Sequence, residues 1–103
     1  MIDPERCQTM TEVRAGVDAL DEQIVTLLAT RMRFMDAAAR IKTERGQVRD
    51  EARKAAVIAH ARDVAGQAGV PPALAEALYE ILVEGSIAYE LGRFDERLAL
   101  DRA

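Results

Sequence analysis

Residues 11–45 read TEVRAGVDALDEQIVTLLATRMRFMDAAARIKTER, a stretch without proline whose only glycine is Gly16. Apolar residues recur in this stretch at helical spacing, at Val13, Val17, Leu20, Ile24, Leu27, Phe34, Ala38 and Ile41. The pattern predicts one long first helix of about 35 residues in this stretch. Thr9, followed by Glu12 three residues later, predicts a capping box at its start.

Two cations lie on the apolar side of this predicted helix. Alternating steps of three and four residues would place an apolar residue at position 31, where the sequence has Arg31. Lys42 lies eleven residues further on, so at 3.6 residues per turn it points within roughly 20° of Arg31. Met35 and Ala38 lie between them on the same face. Two cations that flank an apolar floor predict a site for a small anionic ligand rather than a solvated helix face.

The rest of the chain predicts two further helices, and therefore an all-α fold with three helices in a single domain, residues 1–103. Residues 43–49 read as a loop, and Asp50 is the expected N-cap of a second helix from about Glu51 to Ala68. Pro71 and Pro72 then start a third helix that runs past Phe94, and the charged tail after Asp95 is expected to be frayed. The apolar residues expected to face inward are Val57, Ile58, Ala61, Val64 and Ala65 in the second helix, and Leu74, Leu78, Ile81 and Leu82 in the third.

Composition excludes several classes of function. The net charge is −4 with acids and bases interspersed, so no basic face is offered to nucleic acid. No apolar run reaches a membrane-spanning length, so no membrane partner is expected. The lone Cys7 indicates a reducing cytoplasm. His60 has no Cys or His cluster near it, so we expect no metal, and nothing in the sequence calls for a cofactor.

The predicted length of the first helix suggests a dimer. A helix of about 35 residues would be roughly 50 Å long, whereas a compact domain of this size has a radius of gyration near 13 Å. Two shorter helices cannot cover such a rod, but an intertwined homodimer with antiparallel first helices can. Antiparallel pairing centred near residues 22–23 would bring Arg14 of one chain level with Arg31 of the other. The alternative is that Arg14 is a solvated surface residue.

The third helix carries a second polar intrusion. Ser86 and Glu90 are four residues apart and share a face with the apolar Leu82. A carboxylate on such a face is costly to bury unless it is paired or protonated. Either Glu90 lies at the edge of the stripe and reaches water, or it belongs to a pocket, which the cations of the first helix also suggest.

Taken together, these spacings resemble those of the all-helical chorismate mutases. The matching pattern is Arg14-x16-Arg31-x10-Lys42, then Val48-Arg49-Asp50-x2-Arg53, then Ser86-x3-Glu90, and the resemblance extends from about Glu12 to Leu91. The opening, Pro4-Glu5-x-Cys7 followed by Val13-Arg14-x3-Asp18, looks similar to the isochorismate-pyruvate lyase branch of that family. The resemblance implies an intertwined helical homodimer with two identical sites for a small dianion, chorismate or isochorismate.

The resemblance also implies roles for the individual side chains. Arg14 would reach across from the partner chain to bind a substrate carboxylate, Arg31 would bind a carboxylate within its own chain, and Arg53 would assist. Lys42 would hold a carboxylate oxygen and the ether oxygen, and Glu90 would lie beside that ether oxygen. Asp50 would lie beside the ring hydroxyl, and Ser86 would line the pocket. The implied catalytic residues are Lys42, Glu90 and Arg31.

The sequence departs from the common mutase pattern at two positions. Glu90 stands where many members have glutamine, so it would have to carry a proton to donate to the ether oxygen. Lys54 stands where many mutases have a glutamate that contacts the ring hydroxyl. The expected activity is that of a chorismate mutase, with isochorismate-pyruvate lyase as the alternative. A third interpretation is a non-catalytic dimerisation module, in which Arg31 and Glu90 form a buried ion pair that fixes helix register.

Overall fold

The proline-free stretch forms one helix in the computed structural model of the chain, which describes residues 2–102. Its helix α1 spans Met10–Ile41, α2 spans Glu51–Ala68 and α3 spans Pro72–Asp101. Two short 3-10 turns, Pro4–Arg6 and Arg45–Gln47, precede α1 and α2. No strand occurs among the described residues, which confirms the prediction of an all-α fold with three helices.

Helix α1 begins at the predicted cap and ends just before the predicted loop. The Thr9 hydroxyl accepts a hydrogen bond from the Glu12 N–H at 3.2 Å, and the Glu12 carboxylate accepts one from the Gln8 N–H. The helix has 32 residues and stops at Ile41, so the last residues of the proline-free stretch belong to the loop. The amide oxygen of Gln47 accepts the N–H groups of Thr43 and Glu44, both at 3.0 Å, and this closes a turn in place of further helix.

The predicted bounds of α2 are confirmed, and both depend on local signals. Asp50 Oδ1 accepts the Arg53 N–H at 3.0 Å, which caps the first turn. Gly69 ends the helix in the left-handed region, at φ 86°, a conformation that costs little only for glycine. Pro71 and Pro72 then start α3.

The charged tail after Asp95 is part of α3, which corrects the prediction of a frayed end. The helix continues to Asp101 because the tail has its own tertiary contacts. Phe94 is the most deeply buried large side chain of the described residues, and Leu98 packs against the same core one turn later.

The chain divides into two compact units at the boundary between Phe34 and Met35. The first contains the N-terminal turn and α1 up to residue 34. In it the apolar stripe of α1 is exposed, as shown by Val13, Val17, Leu20, Ile24 and Leu27. The described residues of the chain include no helix that is both long and apolar enough to cross a membrane.

The second unit, from residue 35 onward, contains a small apolar core. Its buried members are Ala39, Val48, Val83, Ile87 and Phe94, against which Val57, Leu91 and Leu98 pack. Several residues predicted to face inward are instead exposed: Val64, Leu74, Leu78 and Ile81. At that end of the α2–α3 pair the buried residues are the small Ala65 and Ala75, so the larger neighbouring side chains remain at the edge of the contact.

Candidate functional site

A buried ion pair joins the end of α1 to the middle of α3. Lys42 Nζ lies 2.7 Å from Glu90 Oε2, and Glu90 is only 4% exposed. Lys42 directly follows α1, and its N–H donates to the Ala38 carbonyl at 2.9 Å. Burying a carboxylate is costly unless it is paired, so this contact accounts for an acid on an otherwise apolar face. The alternative in which Glu90 reaches water is therefore wrong for this chain.

Ser86 lies one turn before Glu90 on the same buried face of α3. Its residue is also 4% exposed, and its hydroxyl donates to the Leu82 carbonyl at 2.7 Å. This bond to the preceding turn is a common arrangement for serine within a helix. The hydroxyl and the carboxylate thus form a short polar strip on a face of α3 that otherwise packs in the core.

Asp50 and Arg53 come together at the first turn of α2. The Asp50 carboxylate accepts the backbone N–H of Arg53, and both residues are exposed. Within residues 2–102 no hydrogen bond or ion pair joins either of them to Lys42 or Glu90. This capping hydrogen bond holds one carboxylate oxygen of Asp50. It involves only the backbone of Arg53, so it does not constrain the guanidinium of Arg53.

Lys54 takes part in a network of charges between α2 and α3. Its ammonium lies 2.6 Å from Glu80 and 3.0 Å from Glu84, and Arg49 binds Glu84 through two nitrogens, at 2.8 and 3.1 Å. The hydrogen bonds from Arg49 and then Lys54 lower the pKa of Glu84 to about 2. The hydrogen bonds that Lys54 donates to Glu80 and then to Glu84 raise the pKa of Lys54. Lys54 is therefore a link between two helices, held by two carboxylates.

Sequence reasoning missed the partners of Lys54 and also two contacts between the end of α1 and the last turns of α3. Asp36 accepts hydrogen bonds from the Tyr89 hydroxyl at 2.8 Å and from Arg93 at 3.0 Å, and the bond that Tyr89 donates to Asp36 raises the pKa of Tyr89. Arg97 donates to backbone carbonyls of residues 40 and 42. The spacing of Glu80 and Glu84 along one face was a usable signal, but the register between helices was not known.

Arg14 and Arg31 belong to the first unit. Both lie on α1, where Arg14 is exposed and Arg31 is half-buried. Of the seven residues expected at the site, the second unit brings Lys42 into contact with Glu90, presents Ser86 on the same helix face as Glu90, and joins Asp50 to Arg53.

The Lys42–Glu90 pair has a clear chemical capacity. The Lys42 side chain is 29% exposed, so an external anion can reach its ammonium and form a charge-assisted hydrogen bond with it. The pair can therefore bind an anionic oxygen through the lysine, with the Glu90 carboxyl group beside it.

Comparison with known proteins gives a consistent picture. The model of the family described as chorismate mutase type II matches residues 13–91, most of the chain. The chain is also 28% identical over 88 residues to the isochorismate pyruvate lyase of Pseudomonas aeruginosa, a match that covers 85% of this chain and 87% of that protein.

The Glu84 network predicts a pH-dependent contribution to stability. The pKa of Glu84 in the folded chain is lowered from 4.5 to about 2, so its stabilisation is complete above pH 4.5 and is lost as the pH falls through 2. Glu84→Gln should lower the melting temperature at pH 7, and the difference from the unsubstituted chain should narrow as the pH falls below 4.5. Thermal unfolding followed by circular dichroism tests this. Asp63→Asn on the exposed side of α2 is the control, and an equal effect of both substitutions at pH 7 would contradict the assignment.

Proposed function

Because the chain belongs to the chorismate mutase type II family, we propose that it converts chorismate to prephenate. The observation that carries the proposal is the buried contact between Lys42 and Glu90 at the end of α1. It brings an ammonium and a carboxyl group side by side, and both can face the breaking ether bond of this substrate.

The reaction requires no particular type of catalytic residue. In the rearrangement one C–O bond breaks while one C–C bond forms within the same molecule, so no nucleophile or proton relay is required. The enzyme contributes by holding the flexible dianion in its folded reactive conformer. It also stabilises the negative charge that develops on the ether oxygen through donors that are fixed before the reaction.

In this proposal the cations divide the two tasks. Arg14, Arg31 and Arg53 bind the substrate carboxylates, because the planar guanidinium can grip a carboxylate through two hydrogen bonds. Lys42 directs its compact ammonium to the ether oxygen, and the protonated form of Glu90 donates to the same oxygen. Asp50 and Ser86 line the site near the ring.

A homodimer is part of the proposal. The apolar stripe of α1 is exposed in the single chain, from Val13 through Leu27, and Phe34 is 68% exposed. A contiguous apolar face of this kind indicates an interaction surface. We propose that a second copy of the chain covers it, since antiparallel pairing of two α1 helices superposes the stripe on itself and lets Arg14 of the partner reach the site.

Isochorismate-pyruvate lyase is the second candidate, and two observations favour it. A relative at 28% identity carries that name. In addition, Lys54 stands where many mutases have a glutamate that contacts the ring hydroxyl, and its ammonium is bound to Glu80 and Glu84. Chorismate and isochorismate differ in the position of that hydroxyl, so a change at this residue bears on which of them is used.

Purified protein should consume chorismate and form prephenate. Loss of the diene absorbance, with chromatographic identification of the product, measures this, and isochorismate is assayed in parallel. Formation of salicylate and pyruvate from isochorismate, without turnover of chorismate, would establish the lyase instead. Turnover of neither compound would overturn both and leave the non-catalytic dimerisation module.

Lys42→Met should lower kcat/KM on the order of 100- to 1000-fold, the loss expected when one preorganised donor to a developing oxyanion is removed. Arg62→Met is the matched control, because Arg62 pairs with Glu76 on the exposed side of α2 and α3. Equal kcat/KM values for the two variants would mean that Lys42 takes no part in the reaction.

Arg14 should act from the partner chain. Arg14→Ala and Lys42→Ala homodimers should each be nearly inactive, whereas the two proteins refolded together should recover activity, because a heterodimer has one site that carries neither substitution. Light scattering should give twice the chain mass for each preparation. Heterodimers that form but remain inactive would contradict a contribution in trans, and an active monomer would contradict the shared site.

Glu90 should make turnover depend on pH. In the proposed role, loss of the carboxyl proton replaces a donor to the ether oxygen with a repelling anion, so kcat, which reports on the substrate complex, should fall as the pH rises. Glu90→Gln supplies a donor that carries no such proton and should flatten this fall. Profiles of kcat against pH for both proteins, with the oligomeric state checked at each pH, test the role. Identical profiles would mean that another group lies at the ether oxygen.

A further inference from the structure

Arg97, in the part of α3 that sequence reasoning treated as a frayed tail, binds the end of α1. One guanidinium nitrogen donates to the carbonyl of Arg40, and another donates to the carbonyl of Lys42 at 2.9 Å. These two carbonyls belong to the peptide groups on either side of the Ile41–Lys42 step. Helix α1 ends at Ile41, so carbonyls here have no partner within the helix, and Arg97 supplies one.

The surroundings of Arg97 fix its guanidinium for this task. The guanidinium carbon lies 4.9 Å from the centre of the Phe94 ring, which is itself buried. The Nε atom is buried without a hydrogen bond, and no carboxylate among residues 2–102 forms an ion pair with Arg97. Its charge is therefore stabilised by the carbonyl dipoles at the C-terminus of α1 and by the aromatic ring.

The position of Arg97 along α3 relates its contact with α1 to the Lys42–Glu90 ion pair. Glu90, Phe94 and Arg97 follow one another at steps of four and three residues, so they lie on one face of the helix. Glu90 binds the ammonium of Lys42, and Arg97 binds the backbone carbonyl of the same residue. One face of α3 therefore binds both the side-chain ammonium and the backbone carbonyl of Lys42.

We propose that Arg97 is a positioning residue for Lys42. It fixes the Arg40–Ile41 and Lys42–Thr43 peptide groups, so that the long flexible side chain of Lys42 starts from a set backbone position and its ammonium stays at the reacting oxygen. The consequence for catalysis rests on the proposed function, in which Lys42 contacts the substrate, whereas the control of Lys42 by Arg97 does not depend on it.

The chain offers a direct spectroscopic test, because Lys42 and Lys54 are its only lysines. Both ammonium groups are ion-paired, Lys42 with Glu90 and Lys54 with Glu80 and Glu84. In protein labelled with ¹⁵N at the lysine side chains, NMR measures the exchange of each ammonium with water. Arg97→Met should speed exchange at Lys42 several-fold and leave Lys54 unchanged, so Lys54 is an internal control. Arg102→Met, which removes the same charge from the end of the same helix, should change neither.

The activity of the same variants gives the second measurement. Arg97→Met should lower kcat/KM on the order of 10- to 100-fold, as expected when a reacting group is displaced by about 1 Å. Arg97→Lys keeps the charge but lacks the planar fork with which the guanidinium binds both carbonyls, so it should show the same effects in smaller degree. The lysine signal that this variant adds is identified by its absence from the unsubstituted chain. Arg97→Lys also serves if Arg97→Met does not fold. Arg102→Met should keep the full kcat/KM.

The outcomes separate this proposal from the proposed function. Faster exchange at Lys42 in a chain that turns over neither substrate would uphold the positioning by Arg97 and overturn the enzyme assignment. Unchanged exchange at Lys42 in folded Arg97 variants, or full kcat/KM in spite of faster exchange, would overturn the positioning role. Equal acceleration at both lysines, with loss of helical circular dichroism, would also overturn it, because Arg97 would then support the fold in general.

Discussion

The buried contact between Lys42 and Glu90 is the interaction on which the second unit depends. A carboxylate that is 4% exposed on the inner face of α3 would oppose packing if it were unpaired, because its desolvation would not be compensated. The ammonium at the end of α1 compensates it at 2.7 Å. The pair is a polar contact beside the apolar core of Ala39, Val83 and Phe94. Because Lys42 follows α1 and Glu90 lies on α3, the pair holds one turn of α3 against the end of α1.

Long polar side chains, rather than a broad apolar contact, connect the end of α1 to α3. Asp36 binds Tyr89 and Arg93, Arg45 binds Asp95 at 3.0 Å, and Arg97 binds backbone carbonyls. Most of these side chains are exposed, and exposed ion pairs contribute little to stability individually. They contribute to orientation, because each of them restricts the positions of the few residues near Lys42. The small apolar core, formed mainly by residues of α3 with Ala39 of α1 and Val48, stabilises the unit, while the polar contacts orient Lys42.

The features of the fold that could be predicted from sequence are those determined by residues close to them in the chain. The bounds of α2 were predictable because Asp50 and Gly69 act on their own turns. The loop after α1 was predictable as well, but the closure of its turn by the Gln47 side chain was not. The helical tail beyond Asp95 depends on packing by Leu98, and the exposure of Leu78 depends on which neighbour covers α3. Helical periodicity gives the direction of a side chain but does not identify its partner.

The same division applies to the site. Lys42 and Glu90 could be found because each interrupts an apolar stripe, and a break in a pattern is visible in one sequence. The pairing of Lys54 with Glu80 and Glu84 could not be found, since it needs the register between α2 and α3. This pairing leaves the Lys54 ammonium bound by two carboxylates, and the cap of α2 likewise binds one oxygen of Asp50. Under the proposed function both side chains lie near the ring hydroxyl, whose position distinguishes chorismate from isochorismate. Recognition of that hydroxyl would then fall to the start of α2, and the side-chain contacts there depend on α3, whose register a single sequence does not show.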